Sequence, residues 1–237
     1  MKKSLFFIFA LIAVFIATES FTEGIHDVTL SSYASSVAEQ EHPVKVNIRI
    51  ASSRLNGIEI LPGGTFSFNE TVGEGNSANG YLSGRVLYMD MTAYEPGGGI
   101  CQVSSTLFNA LLLSGCIIIE RHRHARPVTY VPLGLDATIR YGKKDLRMKN
   151  PHRQSIFIYT SMNDSTLLIT VKAGNRLKTS YELFTDEEEV NIPFGDSNER
   201  RIKPGITIYV YRKKLKNGSP LETALLYKDF YPPVYTE

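Results

Sequence analysis

Tryptophan is absent from the 237 residues, and cysteine occurs only twice, at positions 101 and 116. Two thiols exclude the multi-bridge framework of a small disulfide-stapled scaffold. Neither sign of charge dominates: 26 Lys and Arg face 24 Asp and Glu, a formal net charge of +2. No long basic stripe remains to neutralise phosphates, which argues against a nucleic-acid partner. No internal repeat is visible, and no second cysteine pair or His-Glu-x-x-His run offers a ready zinc site. After residue 18 there is no long apolar run, so a multi-pass membrane protein is excluded. What remains is 43% hydrophobic and 21% charged, the mix of a globular chain able to bury a core as one large domain or two small ones.

The first residues, Met1-Lys2-Lys3, precede a purely apolar run from Leu5 to Ala17. Positive charge followed by about a dozen apolar residues reads as a secretory signal peptide. The run falls short of the roughly 20 residues of a comfortable membrane span. No small-x-small cleavage pair stands out after Ala17, so residues 1–18 are either a signal peptide or an N-terminal anchor. Export to the envelope or beyond is the expectation, with the membrane met only through this segment. Residues 19–43 are expected to be a linker.

Export would favour a disulfide, but the spacing opposes one. Residues 100–114 carry apolar side chains at helical intervals and run from Gly97-Gly98-Gly99 to Gly115, a natural helix terminator. Such a helix spans roughly 22 Å, whereas a disulfide needs its Cα atoms within about 7 Å. Cys116 heads an Ile-Ile-Ile run that reads as a central strand, and it is expected to be an inert core thiol. Cys101 falls in the first helical turn. There, unpaired N–H groups and the positive end of the helix dipole favour a thiolate. The preceding glycines would allow close approach of a substrate backbone.

Residues 44–56 fit a strand or a helix. A turn at 61–64 leads to a short strand at 65–68, a long loop at 70–84 and a strand at 85–91. Further strands are predicted at 116–122, 127–131, 137–141 and 145–149, with a boundary at Asn150-Pro151. Beyond it, 156–161 and 167–172 flank Asn163-Asp164 as a hairpin. Strands at 181–184, 206–211 and 223–231 follow, with residues 186–189 as a solvated acidic loop. The fold class is α+β: one central buried helix on antiparallel strands over 44–150, then a β-rich C-terminal part over 151–237.

A thiol needs a base to ionise near neutral pH, and histidine is the usual partner. His122 and His124 lie two residues apart, on one face of a predicted strand. Asp136 follows and can fix an imidazole tautomer. This order, helix-start cysteine, strand histidine, later carboxylate, is that of transglutaminase-like cysteine enzymes. Backbone N–H groups at Gly98 and Gly99 can face an oxyanion, with Gln102 and Ser104 beside them. Arg121, Arg123 and Arg126 either bind substrate carboxylates or form a solvated rim. Zinc on Cys101 and His-x-His is a weaker reading of the same residues.

Four ordered runs resemble the VanW domain. They are 61–69 (LPGGTFSFN), 97–107 (GGGICQVSSTL), 120–124 (ERHRH) and 130–138 (YVPLGLDAT), within roughly residues 45–150. The resemblance implies an activity like that of L,D-transpeptidases, which form 3–3 cross-links in peptidoglycan through a cysteine. Cys101 would attack the carbonyl of a diaminopimelate or related residue of a tetrapeptide stem, the terminal D-alanine would leave, and a neighbouring amine would take the acyl group. His124 or His122 would be the base and Asp136 its orienter. No cofactor or metal is implied, and the partner is the peptidoglycan stem peptide. The rival readings are a non-catalytic envelope-binding module linked to glycopeptide resistance and a peptide hydrolase using the same acyl-enzyme.

Overall fold

The computed structural model describes residues 28–88, 91–190 and 201–236. The expected signal or anchor, 1–18, lies outside the described residues. The first half of the chain runs β1 (Val28–Ser36), α1 (His42–Leu55), β2 (Ile58–Ile60), β3 (Thr65–Ser67), α2 (Phe68–Val72), β4 (Ser83–Tyr88), β5 (Met91–Pro96), α3 (Ile100–Leu113) and β6 (Ile117–Glu120). The second half is all strand: β7 (Arg147–Lys149), β8 (Ile156–Met162), β9 (Thr166–Ala173), β10 (Thr179–Val190), β11 (Arg201–Lys203), β12 (Gly205–Lys216), β13 (Ser219–Tyr231) and β14 (Val234–Thr236). The architecture is α+β, and every pairing between these strands is antiparallel.

Helix α3 is the axis of the core. Every one of its residues from 102 to 112 is buried, as expected of a helix that is apolar on nearly all sides. Each fully buried Val, Leu or Phe there stabilises the fold by about 1.5–3 kcal/mol. The sheet β1-β9-β8-β2 and helix α1 pack around α3. Its polar side chains bond both within the helix and across it: the Thr106 hydroxyl donates to the Gln102 carbonyl at 2.7 Å and meets Ser35 Oγ of β1 at 2.8 Å.

The ambiguous segment 44–56 is helical. Pro43 sits in the first turn of α1, where its missing N–H costs nothing. The buried residues are Val44, Asn47, Ile48, Ala51, Ser52 and Leu55, a 3.6-residue spacing that the strand-like alternation concealed.

Several expectations are corrected. Residues 28–36, read as linker, form β1, which pairs with β9 along its length. The boundary at 150 does not divide the core, because β8 and β9 beyond it share a sheet with β1 and β2 before it. Strand β6 is an edge strand, in the order β3-β7-β6, with Ile117 and Ile119 exposed, while Cys116 just before it is fully buried. The acidic run 186–189 is not a loop but the exposed end of β10, paired with β12.

Segments 127–131 and 137–141 are not strands. Around 135–137, helix side chains take backbone groups that a neighbouring strand would have used. Asn109 donates to the Leu135 carbonyl at 2.7 Å, and Ser105 Oγ accepts the Ala137 N–H at 2.9 Å. The C-terminal sheet β10-β12-β13 then closes over this segment. A second core cluster joins Val131 and Leu135 to Ile208, Val210 and Tyr231.

Candidate active site

Helix α3 starts at a backbone turn that only glycine permits. Gly99 caps it with φ 102°, and a Cβ there would lie 2.9 Å from Val44 Cγ1 of α1. A Cβ on Gly98 would lie 2.6 Å from the backbone of Gly84. The space left by the missing side chains is therefore filled by α1 and β4, not held open for a substrate. Asn47 locks the turn by donating to the carbonyls of Gly98 and Leu82, both at 2.9 Å. The Ile100 N–H bonds Gly97 O and the Gln102 N–H bonds Gly99 O, and among the described residues no backbone acceptor is bonded to the Cys101 N–H between them.

That turn sets Cys101 at the edge of the core, partly exposed and unpaired. Its Sγ lies 3.6 Å from Thr138 Oγ1 and 3.7 Å from the Ile139 carbonyl. After β6 the chain continues beside 136–138, held by the Thr138 N–H on the His122 carbonyl at 2.8 Å. This pairing brings His124 to Asp136. Asp136 Oδ2 accepts both the backbone N–H and the Nδ1 of His124, each at 2.6 Å. A carboxylate only accepts, so Nδ1 carries the proton and Nε2 is turned to the other side of the ring. There it meets the Tyr130 hydroxyl at 3.4 Å, and His124 and Tyr130 stack edge to face.

The electrostatics couple these groups. Burial by itself pushes the Cys101 thiol up, but hydrogen bonding to His124, the His124 charge and the backbone of Ile139 together bring it below the ordinary thiol value. Burial opposes the imidazolium form of His124, yet Asp136 and Cys101 raise it to about 9. Asp136, itself buried, is held low by His124 and Arg121. Both shifts run in the direction that favours a thiolate–imidazolium pair. Cys116 behaves oppositely: burial pushes it up to about 11, leaving it a protonated core thiol.

Asp136 and His124 thus meet directly, the Cys101 thiol is electrostatically coupled to that imidazole, and the other candidates do not join them. His122 bonds Glu120 at 2.9 Å instead, with its side chain 37% exposed. Neither histidine lies in a strand, because β6 ends at Glu120. Gln102 is buried, and its amide nitrogen donates to the Ser36 carbonyl at 2.7 Å and to Ser35 Oγ at 3.1 Å. Its oxygen accepts from Gln40 at 2.9 Å, so it ties β1 to α3 and has no donor left for an oxyanion. Ser104 is also buried and donates to the carbonyls of Cys101 and Ala137. Arg121 is neither a solvated rim nor open to a substrate carboxylate: its side chain is 5% exposed and pairs with Asp136 and Asp229. Arg123 donates to the His124 carbonyl at 2.7 Å. Arg126 stands exposed on the following loop.

Asp229 and Tyr130 were missed as site residues. Tyr130 opens the 130–138 run, in which only Asp136 is expected to act. Asp229 had a faint signal, since Tyr227, Asp229 and Tyr231 share one parity of β13. An acid in step with two aromatics marks an inward-facing carboxylate.

Residues 44–172 match the family described as VanW like protein. Over 129 residues the chain is 39% identical to an uncharacterized protein, YoaR, of Bacillus subtilis (strain 168), covering 54% of this chain and 43% of that protein. Over 149 residues it is 31% identical to the vancomycin B-type resistance protein VanW of Enterococcus faecalis (strain ATCC 700802 / V583), covering 61% of this chain and 54% of that protein. The chain therefore spans about half the length of the curated relatives it matches. No solved structure matches it.

Proposed function

The chain belongs to the VanW like family, and on that footing we propose that it is an exported cysteine acyltransferase acting on peptidoglycan stem peptides, an L,D-transpeptidase forming 3–3 cross-links. One observation carries the reading: a partly exposed thiol at a helix start, lowered by an imidazole that a buried carboxylate holds at 2.6 Å. A core cysteine needs none of these parts, as Cys116 illustrates. The resistance-associated name of the enterococcal relative supports a wall substrate.

In this reading the Cys101 thiolate attacks the carbonyl of the diamino acid at the third stem position. A tetrahedral oxyanion forms, and the Cys101 N–H, to which no backbone acceptor among the described residues is bonded, is its proposed donor. The C–N bond to the terminal D-alanine then breaks, and His124 passes its proton to the departing amine. The resulting thioester is attacked by the side-chain amine of a second stem. Neutral His124 takes the proton from that nitrogen, the C–S bond breaks, and the thiolate–imidazolium pair returns. Asp136 keeps the ring oriented throughout and is not protonated. No metal or cofactor enters any step.

The test is incubation of the purified chain with disaccharide-tetrapeptide, followed by mass spectrometry. Cross-linked dimer plus free D-alanine is expected, and both vanish in Cys101→Ala. Tripeptide and D-alanine without dimer, even with added acceptor amine, would replace the transferase with a carboxypeptidase on the same thioester. An unaltered substrate would leave the envelope-binding module as the better reading.

A further inference from the structure

The buried charges around Asp136 extend beyond the cysteine, histidine and aspartate. Arg121 donates through Nη2 to Asp136 Oδ1 at 2.8 Å and through Nε to the Asp136 carbonyl at 2.7 Å. Its Nη1 contacts both carboxylate oxygens of Asp229, at 2.8 and 2.6 Å. The guanidinium lies 4.8 Å from the ring centroid of Tyr227, and Tyr231 directs its hydroxyl to Asp136 Oδ1 at 3.4 Å. All of this is removed from solvent: Asp136 is 2% exposed and Asp229 8%.

The elements supplying these groups differ in origin. Arg121, His124 and Asp136 fall within residues 44–172, which match the family, whereas Asp229 lies on β13 outside that match. The C-terminal sheet thus reaches back into the site of the family domain.

Asp136 has one negative charge to share between His124 and Arg121. Alone with Asp136, a buried guanidinium would draw that charge away from the imidazole and pull the carboxylate toward itself. Asp229 balances the guanidinium from the opposite side and holds its fork at a fixed angle. Oδ1 of Asp136 then serves Arg121, and Oδ2 is left wholly to His124.

We propose that Asp229 is a positioning residue for the Cys101–His124 pair, acting through Arg121 and Asp136, so that the C-terminal sheet completes the site. The proposal rests on the reading of Cys101 as the nucleophile. The charged and titratable groups facing this chain are His124 and Arg123 from the post-β6 loop, Tyr130, and Tyr227 and Tyr231 from β13. The C-terminal sheet is accordingly a working part of the site and not an independent module.

The experiment is the pH dependence of Cys101 alkylation by iodoacetamide, followed by intact mass on the full chain. Cys116, buried and protonated, does not contribute. In Asp229→Asn, alkylation at pH 6 is expected to fall about tenfold, with the rise of the rate displaced to higher pH. Arg212→Gln is the control for lost packing. Arg212 donates to the Cys116 carbonyl at 2.7 Å, tying the same sheet to the far end of α3. An unshifted Asp229→Asn profile, or an equal shift in Arg212→Gln, overturns the proposal. Should Asp229→Asn not fold, Asp229→Glu is read instead: it keeps the charge but moves it by one methylene. A rate at pH 6 below wild type then supports the proposal, and an unchanged rate overturns it. Alkylation needs no peptide, so failure to cross-link stem peptides would sink the proposed function without touching this result.

Discussion

One oxygen of Asp136 holds both ends of His124: Oδ2 takes the backbone N–H and the ring Nδ1, each at 2.6 Å. With its backbone N–H anchored to the same oxygen, the ring cannot rotate without breaking the Nδ1 bond, so it is set before any substrate arrives. That rigidity is what a base facing a thiol requires.

Asp136→Asn should therefore uncouple the pair. An amide at this position can donate where the carboxylate only accepted, which reverses the favoured tautomer. Acyl transfer is expected to fall by at least about 100-fold. Alkylation of Cys101 at pH 6 should fall with it, because the thiolate loses its imidazolium. Rates of iodoacetamide labelling on folded protein, checked by circular dichroism, measure this.

The pH dependence follows from the two opposed shifts. The thiol is lowered, so the rise in labelling of wild type should come below the ordinary thiol value of about 8.5. His124 is raised to about 9 in the folded chain. Its protonated form stabilises the fold fully below the unfolded value near 6.5, and that contribution is lost as pH rises through about 9. The melting temperature of wild type relative to His124→Ala should accordingly shrink between pH 7 and pH 9.5. A difference that stays constant over that interval would contradict the ion pair.

Gln102→Ala should behave as a structural lesion. It removes the amide that satisfies the Ser36 carbonyl and Ser35 hydroxyl between β1 and α3. A loss of about 1–3 kcal/mol is expected in denaturant unfolding. Alkylation of Cys101 at pH 7 should stay within about twofold of wild type, since Gln102 makes no bond to the sulfur or to His124. A labelling defect exceeding the stability loss would restore an oxyanion role.

Gly99→Ala tests the helix start. The residue sits at φ 102° with its would-be Cβ 2.9 Å from Val44 and 3.0 Å from Ile48. Left-handed backbone and overlap together should cost more than about 1 kcal/mol. The expected result is a lower melting temperature with slower Cys101 labelling at pH 7, because the first turn of α3 carries the sulfur.

Much of the local structure was legible in the residues themselves. The span of α3, its stop at Gly115 and the separation of Cys101 from Cys116 follow from periodicity and chain geometry. The hairpin of β8 and β9 follows from two alternating runs about Asn163-Asp164. Helix α1 was not readable, because Val44, Val46, Ile48 and Ile50 satisfy a period of two as well as they hide one of 3.6. Segments 127–131 and 137–141 carried apolar residues suited to strands, but around the second of them the backbone N–H of Ala137 and the carbonyl of Leu135 bond to Ser105 and Asn109 of α3 instead of to a strand.

The same division runs through the site. Local chemistry determined that Cys101, at a glycine-led helix start, is a different thiol from Cys116, and that His124 and Asp136 were its candidate partners. Which histidine meets the carboxylate was decided only by the pairing of 122 with 138, which sets His124 and not His122 against Asp136. Whether Arg121 faces solvent or is buried depended on Asp229, 108 residues further along the chain. Short-range pattern specifies what a segment prefers to be. The distant charges that stabilise a buried ion are invisible until folding brings them within about 3 Å.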